Sequence, residues 1–488
     1  MDKKQQQREL GSALYTGRLA LVAANGGLLF GFDWAVISGT TTYIERYFSG
    51  AITRIDEYLA LPGFSLGLAV SSALFGCILG VCVSGTLSDR WGRKRVLIIA
   101  ATLFIVSAIL TAVPKDLWLF VTARLVGGVA IGLSSPVSPM YIAEMAPKKS
   151  RGALVTLNQL AITFGILVAY FCDWSIAGLG TEDWGVMYGW RWMFASEIPP
   201  AALFLAALMF VPESPRWLAK EGRWDQAELI LARIGGRQHA EQELRGIQSA
   251  RVGEKTSIIQ LLRPGLRTAL MIGVAIMVFS QITGNFAIFT YTPKLLLQLG
   301  AKNTSAALLG MVMVGAVNFL TTIVAVVVID KLGRRPLLIY ASLGMCLCMA
   351  AVACSFRVVA VTPIILLGCI LGFVVCYAIG VGPGAWLIIS EIFPTHVRGR
   401  AMSICTLCLW IVNYLTTLAF PILWSYTQAG TFWLFAFTSG TMAIFVWAFL
   451  PETKGLSLET IEQWWCESPP QVSETTQPLA DPSSEDSF

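Results

Sequence analysis

Twelve long apolar stretches, separated mostly by short polar connections, run at roughly residues 18 to 40, 64 to 86, 95 to 113, 117 to 140, 152 to 175 and 190 to 211, then 266 to 292, 305 to 329, 336 to 356, 362 to 390, 399 to 424 and 430 to 450. Each approaches the ~20 residues that a helix needs to cross the hydrocarbon of a bilayer. The pattern predicts an all-α membrane protein with twelve transmembrane helices in two six-helix halves. Between the halves, GRWDQAELILARI (222–234) mixes charged and apolar residues at helical spacing, so the connection is expected to be helical. The expected organisation is an N-terminal half over 1–211, an intracellular helical linker over 212–265, a C-terminal half over 266–450 and a tail over 451–488. After about residue 466 Ser, Pro, Asp and Glu dominate, which predicts disorder. The first apolar run continues through GFDWAVISG (31–39) with no small-residue cleavage pattern, and so reads as a span rather than a signal peptide.

Composition narrows the function classes. Hydrophobic residues make up 55% of the chain and charged residues 13%, about half the roughly 25% of a soluble globular protein. A soluble enzyme and a secreted disulfide scaffold both fit this poorly. Cys77, Cys82, Cys346, Cys348, Cys369, Cys376, Cys405 and Cys408 lie within apolar stretches and read as small packing residues. With two histidines, His239 and His396, and no His-Glu-x-x-His pattern, a metal ion has almost no ligands. No nucleophile or base cluster appears in the spans, so neither catalysis nor a cofactor is expected, a coupling proton aside.

The net charge of +5 matters less than its placement, and it gives no reason to expect a nucleic-acid partner. Of 35 Lys and Arg residues, Arg46, Arg54, Lys115, Arg191, Lys294, Lys302 and Arg357 fall on one side of the spans and Arg124 within one; the rest share the opposite side. The positive-inside rule makes that opposite side cytoplasmic, with both termini and the linker. The expected setting is the plasma membrane, or the inner membrane of a bacterium.

The halves repeat one another. GTLSDRWGRKR (85–95) pairs with IDKLGRRP (329–336), EMAPKKSRG (144–152) with EIFPTHVRG (391–399), and PESPRWL (212–218) with PETKGLSL (451–458). The three pairs keep one order and recur roughly 240 residues apart. Duplicated halves of a transporter enclose a site near mid-membrane, and rocking of the halves gives alternating access. Asp89, Arg93, Glu144, Arg151, Asp330, Arg334, Glu391 and Arg398 lie at the cytoplasmic helix ends and are expected to form a latch that pairs across the halves when the protein faces outward.

These paired loops, together with GVGPGAWLIISEIFP (380–394), resemble the sugar porter family of the major facilitator superfamily over about residues 18 to 460. GGLLFGFDWAVISG (26–39) and GWRWMF (189–194) are most similar to the bacterial D-xylose proton symporters. The resemblance implies proton-coupled symport of a monosaccharide, pentose or hexose, by one copy of the chain in the bilayer. Alternative readings are a facilitative uniporter, a proton-coupled porter for a polyol such as myo-inositol, and a sensor that binds sugar without transporting it.

Ionisable residues inside spans are costly and therefore informative. Asp33 lies mid-span, and Arg124, which cannot shed its proton, is its natural partner. A carboxylate that protonates when its arginine contact weakens would couple a proton to conformation. The resemblance implies this role for both residues, since facilitators of the family carry Asn at the position of Asp33. Glu197 is a second acid within a span, expected either to share in proton coupling with Asp33 and Arg124 or to cap a helix or bond the linker. For the sugar, the resemblance implies Phe30, Gln159, Gln281, Tyr291, Trp386, Trp410 and Asn413. In the seventh span sugar porters typically read Gln-Gln-x-x-Gly-x-Asn, whereas here Ser280 replaces one Gln and Phe286 the Asn, with Asn285 one step earlier. One helical step turns a side chain by about 100°, so Asn285 and Phe286 exchange directions relative to that pattern.

Overall fold

The computed structural model describes residues 3–147, 150–250, 261, 265–298, 301–356, 363–394 and 397–452. The expected disorder after residue 466 lies outside them. Among the described residues, twelve helices are long and apolar enough to cross a membrane. Those before the linker are Leu14–Tyr47, Phe64–Trp91, Arg93–Ala112, Leu117–Met145, Arg151–Ala177 and Glu182–Phe210. Those after it are Leu266–Gln298, Thr304–Ile329, Arg334–Ser355, Ile364–Glu391, Arg398–Tyr426 and Gln428–Phe449.

Several spans outrun their apolar stretches, the first and the sixth by the most. The first continues to Tyr47, through Thr40 and Thr41, whose hydroxyls donate back to the Ile37 carbonyl and so remain compatible with burial. The sixth begins at Glu182 and passes through a π-turn at Gly185–Gly189 before Trp190. Arg191 there is polar in sequence but fully engaged, donating to the carbonyls of Ala112 and Pro114 at 3.0 and 2.8 Å.

Packing reproduces the duplication. The first span packs on the fifth, the second on the fourth and the third on the sixth, just as the seventh packs on the eleventh, the eighth on the tenth and the ninth on the twelfth. Across the halves, the second span meets the eleventh and the fifth meets the eighth, with the first and seventh face to face between them. Because lipid competes with side chains for apolar contact, close helix pairs need small residues. Gly76 and Gly80 of the second span face Gly128 and Gly132 of the fourth, and a Cβ at Gly80 would lie 2.8 Å from the Gly132 Cα. Gly31 and Gly165 bring the first and fifth spans together in the same way.

The repeated motifs fix one end of the bundle. Gly92 (φ +96°) and Gly333 (φ +90°) turn the chain sharply before the third and ninth spans. Glu213 then accepts from the backbone N–H groups of Arg93 and Lys94 at 2.9 and 3.1 Å, and Glu452 accepts from those of Arg334 and Arg335 at 3.1 Å each. Each glutamate thus satisfies otherwise orphaned donors at the positive end of a helix dipole. Glu213→Ala should lower stability by about 1 kcal/mol, the usual loss for a helix cap, read as a lower unfolding midpoint in detergent.

Beyond Glu213 the linker forms the helices Pro215–Lys220, Trp224–Gly235 and Arg237–Ala250. Trp217 Nε1 donates to the Asp89 carbonyl at 2.9 Å and Lys220 pairs with the Asp89 carboxylate at 3.2 Å, which ties the linker to the end of the second span.

Candidate functional site

The spans around the centre of the bundle are interrupted, which frees backbone and side chains at membrane depth. The seventh breaks at Thr283 and Gly284 (φ +80°), between helices Leu266–Ile282 and Asn285–Gln298. The tenth passes through a π-turn at Tyr377–Val381, and the sixth is interrupted at Ser196 and Glu197. Irregular backbone at this depth is tolerated where protein or a cavity covers it.

At the centre, Arg124 of the fourth span meets Asp33 of the first. Its Nη1 donates to Asp33 Oδ1 and its Nη2 to the Asp33 carbonyl at 3.1 Å, with both residues 1% exposed or less. The guanidinium also sits over the Phe194 ring, 5.4 Å from its centroid. Gly127 makes room for the carboxylate, since a Cβ there would lie 3.0 Å from Asp33 Oδ2. Glu197 is 1% exposed, its Oε1 has no partner among the described residues, and its charged neighbours are Asp33 and Arg124. Although it stands at the N-cap of helix Ile198–Phe210, it makes no cap bond. One cation therefore serves two buried carboxyls, and charge balance in a low-dielectric interior leaves room for one proton.

Arg124 opens onto a narrow cavity between the halves, lined among others by Phe30, Trp34, Phe286 and Trp410. Phe30 and Trp410 face each other across the halves with ring centroids 5.8 Å apart, and Trp34 meets Phe286 edge-on at 4.4 Å. The indole N–H groups of Trp34 and Trp410 are buried without acceptors among the described residues. Aromatic faces with unspent donors suit a ligand that has C–H faces and hydroxyl edges. Sequence reasoning missed Trp34. Its signal was its place next to the mid-span Asp33, one helical turn after Phe30.

The other expected contacts are placed differently. Tyr291 lies above the cavity, in a separate vestibule lined also by Glu45, Lys294, Phe420 and Trp424, with its ring stacked on Phe420 at 4.8 Å. Trp386 is 41% exposed and does not line the cavity. The Gln281 amide donates to Ser280 Oγ at 3.0 Å, Asn285 Oδ1 accepts from the Phe286 N–H at 2.7 Å, and Asn413 Oδ1 accepts from Thr417 at 3.4 Å. In the fifth span Asn158 is buried, while its neighbour Gln159 is only partly so.

The halves meet firmly at the end away from the basic loops. Lys294 of the seventh span donates to both carboxylate oxygens of Glu45 at 2.8 Å, and Glu182 accepts from the Thr304 N–H and hydroxyl at 3.0 and 2.9 Å. Deeper in, the Tyr170 hydroxyl donates to the Phe289 carbonyl at 3.0 Å. Asn303, part of a glycosylation sequon, caps the eighth span by accepting from the Ala306 N–H. At the basic end, the ion pairs described join residues of one half: Arg93 with Asp89 at 3.3 Å and Glu144 at 3.0 Å, and Arg334 with Glu391 at 3.0 Å. Arg398 donates to the Phe393 carbonyl, and Arg151 begins the fifth span. The side chain of Asp330 lies outside those described. The conformation is thus closed at the far end, with Arg93, Asp89 and Glu144 paired in the N-terminal half and Arg334 and Glu391 in the C-terminal half.

Comparison with known proteins gives a consistent set of likenesses. Residues 19–465 match the family model described as "Sugar (and other) transporter". The chain is 40% identical over 449 residues to the arabinose-proton symporter of Bacillus subtilis, covering 92% of this chain and 94% of that one. It is also 40% identical over 477 residues to the D-xylose-proton symporter of Escherichia coli, covering 92% and 96%. Among solved structures, the partially occluded inward-open form of the xylose transporter XylE from E. coli matches with a TM-score of 0.81 at 37% identity, covering 91% of this chain and 99% of that one.

Proposed function

The chain belongs to the sugar (and other) transporter family, and from that premise we propose that it is a proton-coupled symporter of a monosaccharide, a pentose or hexose such as D-xylose or D-glucose. It is an integral membrane transporter and not an enzyme. The observation that carries the proposal is the buried Asp33–Arg124 pair, whose arginine lines the aromatic cavity between the halves. Protonation of Asp33 weakens its hold on Arg124, and freeing the guanidinium at the cavity wall changes what the sugar meets there. Sugar and proton then act on one structural element, as coupling requires. Glu197 keeps the cluster balanced by remaining close to Arg124 while Asp33 changes charge.

With the basic end facing the cytoplasm, the conformation faces inward, and Glu45–Lys294 and Glu182–Thr304 close the outer mouth. In the outward-facing form those contacts part, while Asp89, Arg93, Glu144, Arg151, Asp330, Arg334, Glu391 and Arg398 come together across the inner end. Both halves of the site come from one copy, so a monomer suffices.

Uptake of labelled D-xylose, L-arabinose and D-glucose into proteoliposomes, with and without an imposed pH gradient, tests the proposal. Accumulation only with the gradient supports symport, whereas equilibration regardless of the gradient points to a facilitator. Trp410→Ala should weaken sugar binding by about 1 kcal/mol, roughly fivefold, because it removes an aromatic anchor and its unspent N–H while Phe30 remains. Calorimetry showing unchanged affinity would return Trp410 to a packing role.

A further inference from the structure

A further buried acid stands apart from the central cluster. Asp173, on the fifth span, is 0% exposed, and among the described residues neither carboxyl oxygen has a hydrogen-bond partner. It packs against Gly39 so closely that a Cβ there would lie 2.6 Å from the Asp173 Cβ, and the Gly39 backbone offers it no well-aligned hydrogen bond. Gly39 follows Asp33 by six residues on the same helix, about 9 Å toward the outer mouth.

No cation serves this carboxyl among the described residues. The ionisable groups that face it are Tyr43 on the first span and Tyr170 and Cys172 on its own. From the sixth span, Glu182 is paired with Arg46 at 3.6 Å, Arg191 is held by Tyr47 and two carbonyls, and Glu197 belongs to the central cluster. On the seventh span Lys294 is held by Glu45, and the eighth has no ionisable side chain from Thr304 to Ile329. A carboxylate sealed from water with no cation and no well-aligned hydrogen bond is strongly disfavoured, and a neutral carboxylic acid costs far less there.

We propose that Asp173 is a second proton-binding site, neutral in the inward-facing conformation and reached by water from the outer mouth when the halves part there. Its access is governed by contacts already described. Tyr170, one turn before it, bonds across the halves to the Phe289 carbonyl, beneath the Glu45–Lys294 and Glu182–Thr304 closures. When these open, hydronium and the carboxylate give carboxylic acid and water, and closure seals the acid in. Its use in transport rests on the symport reading above, but its proton occupancy does not.

Infrared spectroscopy of the full-length reconstituted protein tests this without any transport measurement. Wild type, Asp173→Asn and Asp33→Asn would be compared at about pH 6 and about pH 8, where an ordinary carboxylate is ionised. Wild type and Asp33→Asn should both show a protonated-carboxyl C=O band that Asp173→Asn lacks and Asp173→Glu shifts. In a Lys294→Met background, which loosens the outer mouth, that band should shrink as the pH rises. Wild-type and Asp173→Asn spectra that coincide in this region would overturn the assignment, because Asp173 would then be ionised. A band indifferent to pH with Lys294→Met would overturn outer access. Failure of proton-driven uptake, with the band intact, would count against symport and leave the proton site standing.

Discussion

Asp33→Asn is expected to abolish sugar accumulation driven by a pH gradient while leaving sugar exchange measurable. The substitution is nearly isosteric, so the Asn oxygen can still accept from Arg124 Nη1, and the Arg124 contact to the backbone carbonyl at 3.1 Å is untouched. What changes is the charge count. With Asp33 neutral for good, Arg124 is balanced by Glu197 alone, and the cluster no longer gains a proton in one state and loses it in the other. Sugar binding has its own groups, Phe30, Trp34 and Trp410, which the substitution does not remove. In vesicles the internal-to-external sugar ratio should therefore fall to about one with the gradient imposed, while counterflow of labelled sugar persists. A mutant that still concentrates sugar would move the coupling elsewhere, first to Glu197.

The twelve spans were legible because hydropathy directly reports what lipid requires, and the repeated loops disclosed the two halves. Span ends were less so. Thr40 and Thr41 read as polar, yet their hydroxyls bond back into the helix, and that economy leaves no trace in composition. The motif glutamates Glu213 and Glu452 were visible as a repeat but not as caps, because each serves a helix more than 110 residues away in sequence. The Asp33–Arg124 pair could be foreseen, since a mid-span acid and a permanent cation at membrane depth are most stable when paired. The sugar contacts were harder to read. A helix break such as that at Gly284 resets which way the following side chains point, so Tyr291 belongs to the outer vestibule while Phe286 lines the cavity.

Phe286→Asn should then change which sugars are preferred, raising affinity for a fully hydroxylated hexose relative to a deoxy analogue by about 1 to 3 kcal/mol, roughly 5- to 150-fold. Phe286 is 6% exposed and lines the cavity, where its ring presents an apolar wall. Its neighbour Asn285 does not stand in, because it lies outside the cavity lining and its side-chain oxygen accepts from the Phe286 N–H. An amide at position 286 would add both a donor and an acceptor to a cavity whose polar resources are two indole N–H groups and the shielded Arg124. Against this stands the loss of the edge-on contact with Trp34 at 4.4 Å, a term of about 0.5 to 1.5 kcal/mol that acts on every ligand alike. The ratio between sugars therefore isolates the new hydrogen bond better than any single affinity does. Calorimetry across D-glucose, D-xylose and their deoxy analogues would measure it. If the substitution weakened all of them equally, Phe286 would itself be part of the recognition surface, and the native substrate would be one that turns an apolar face toward that ring.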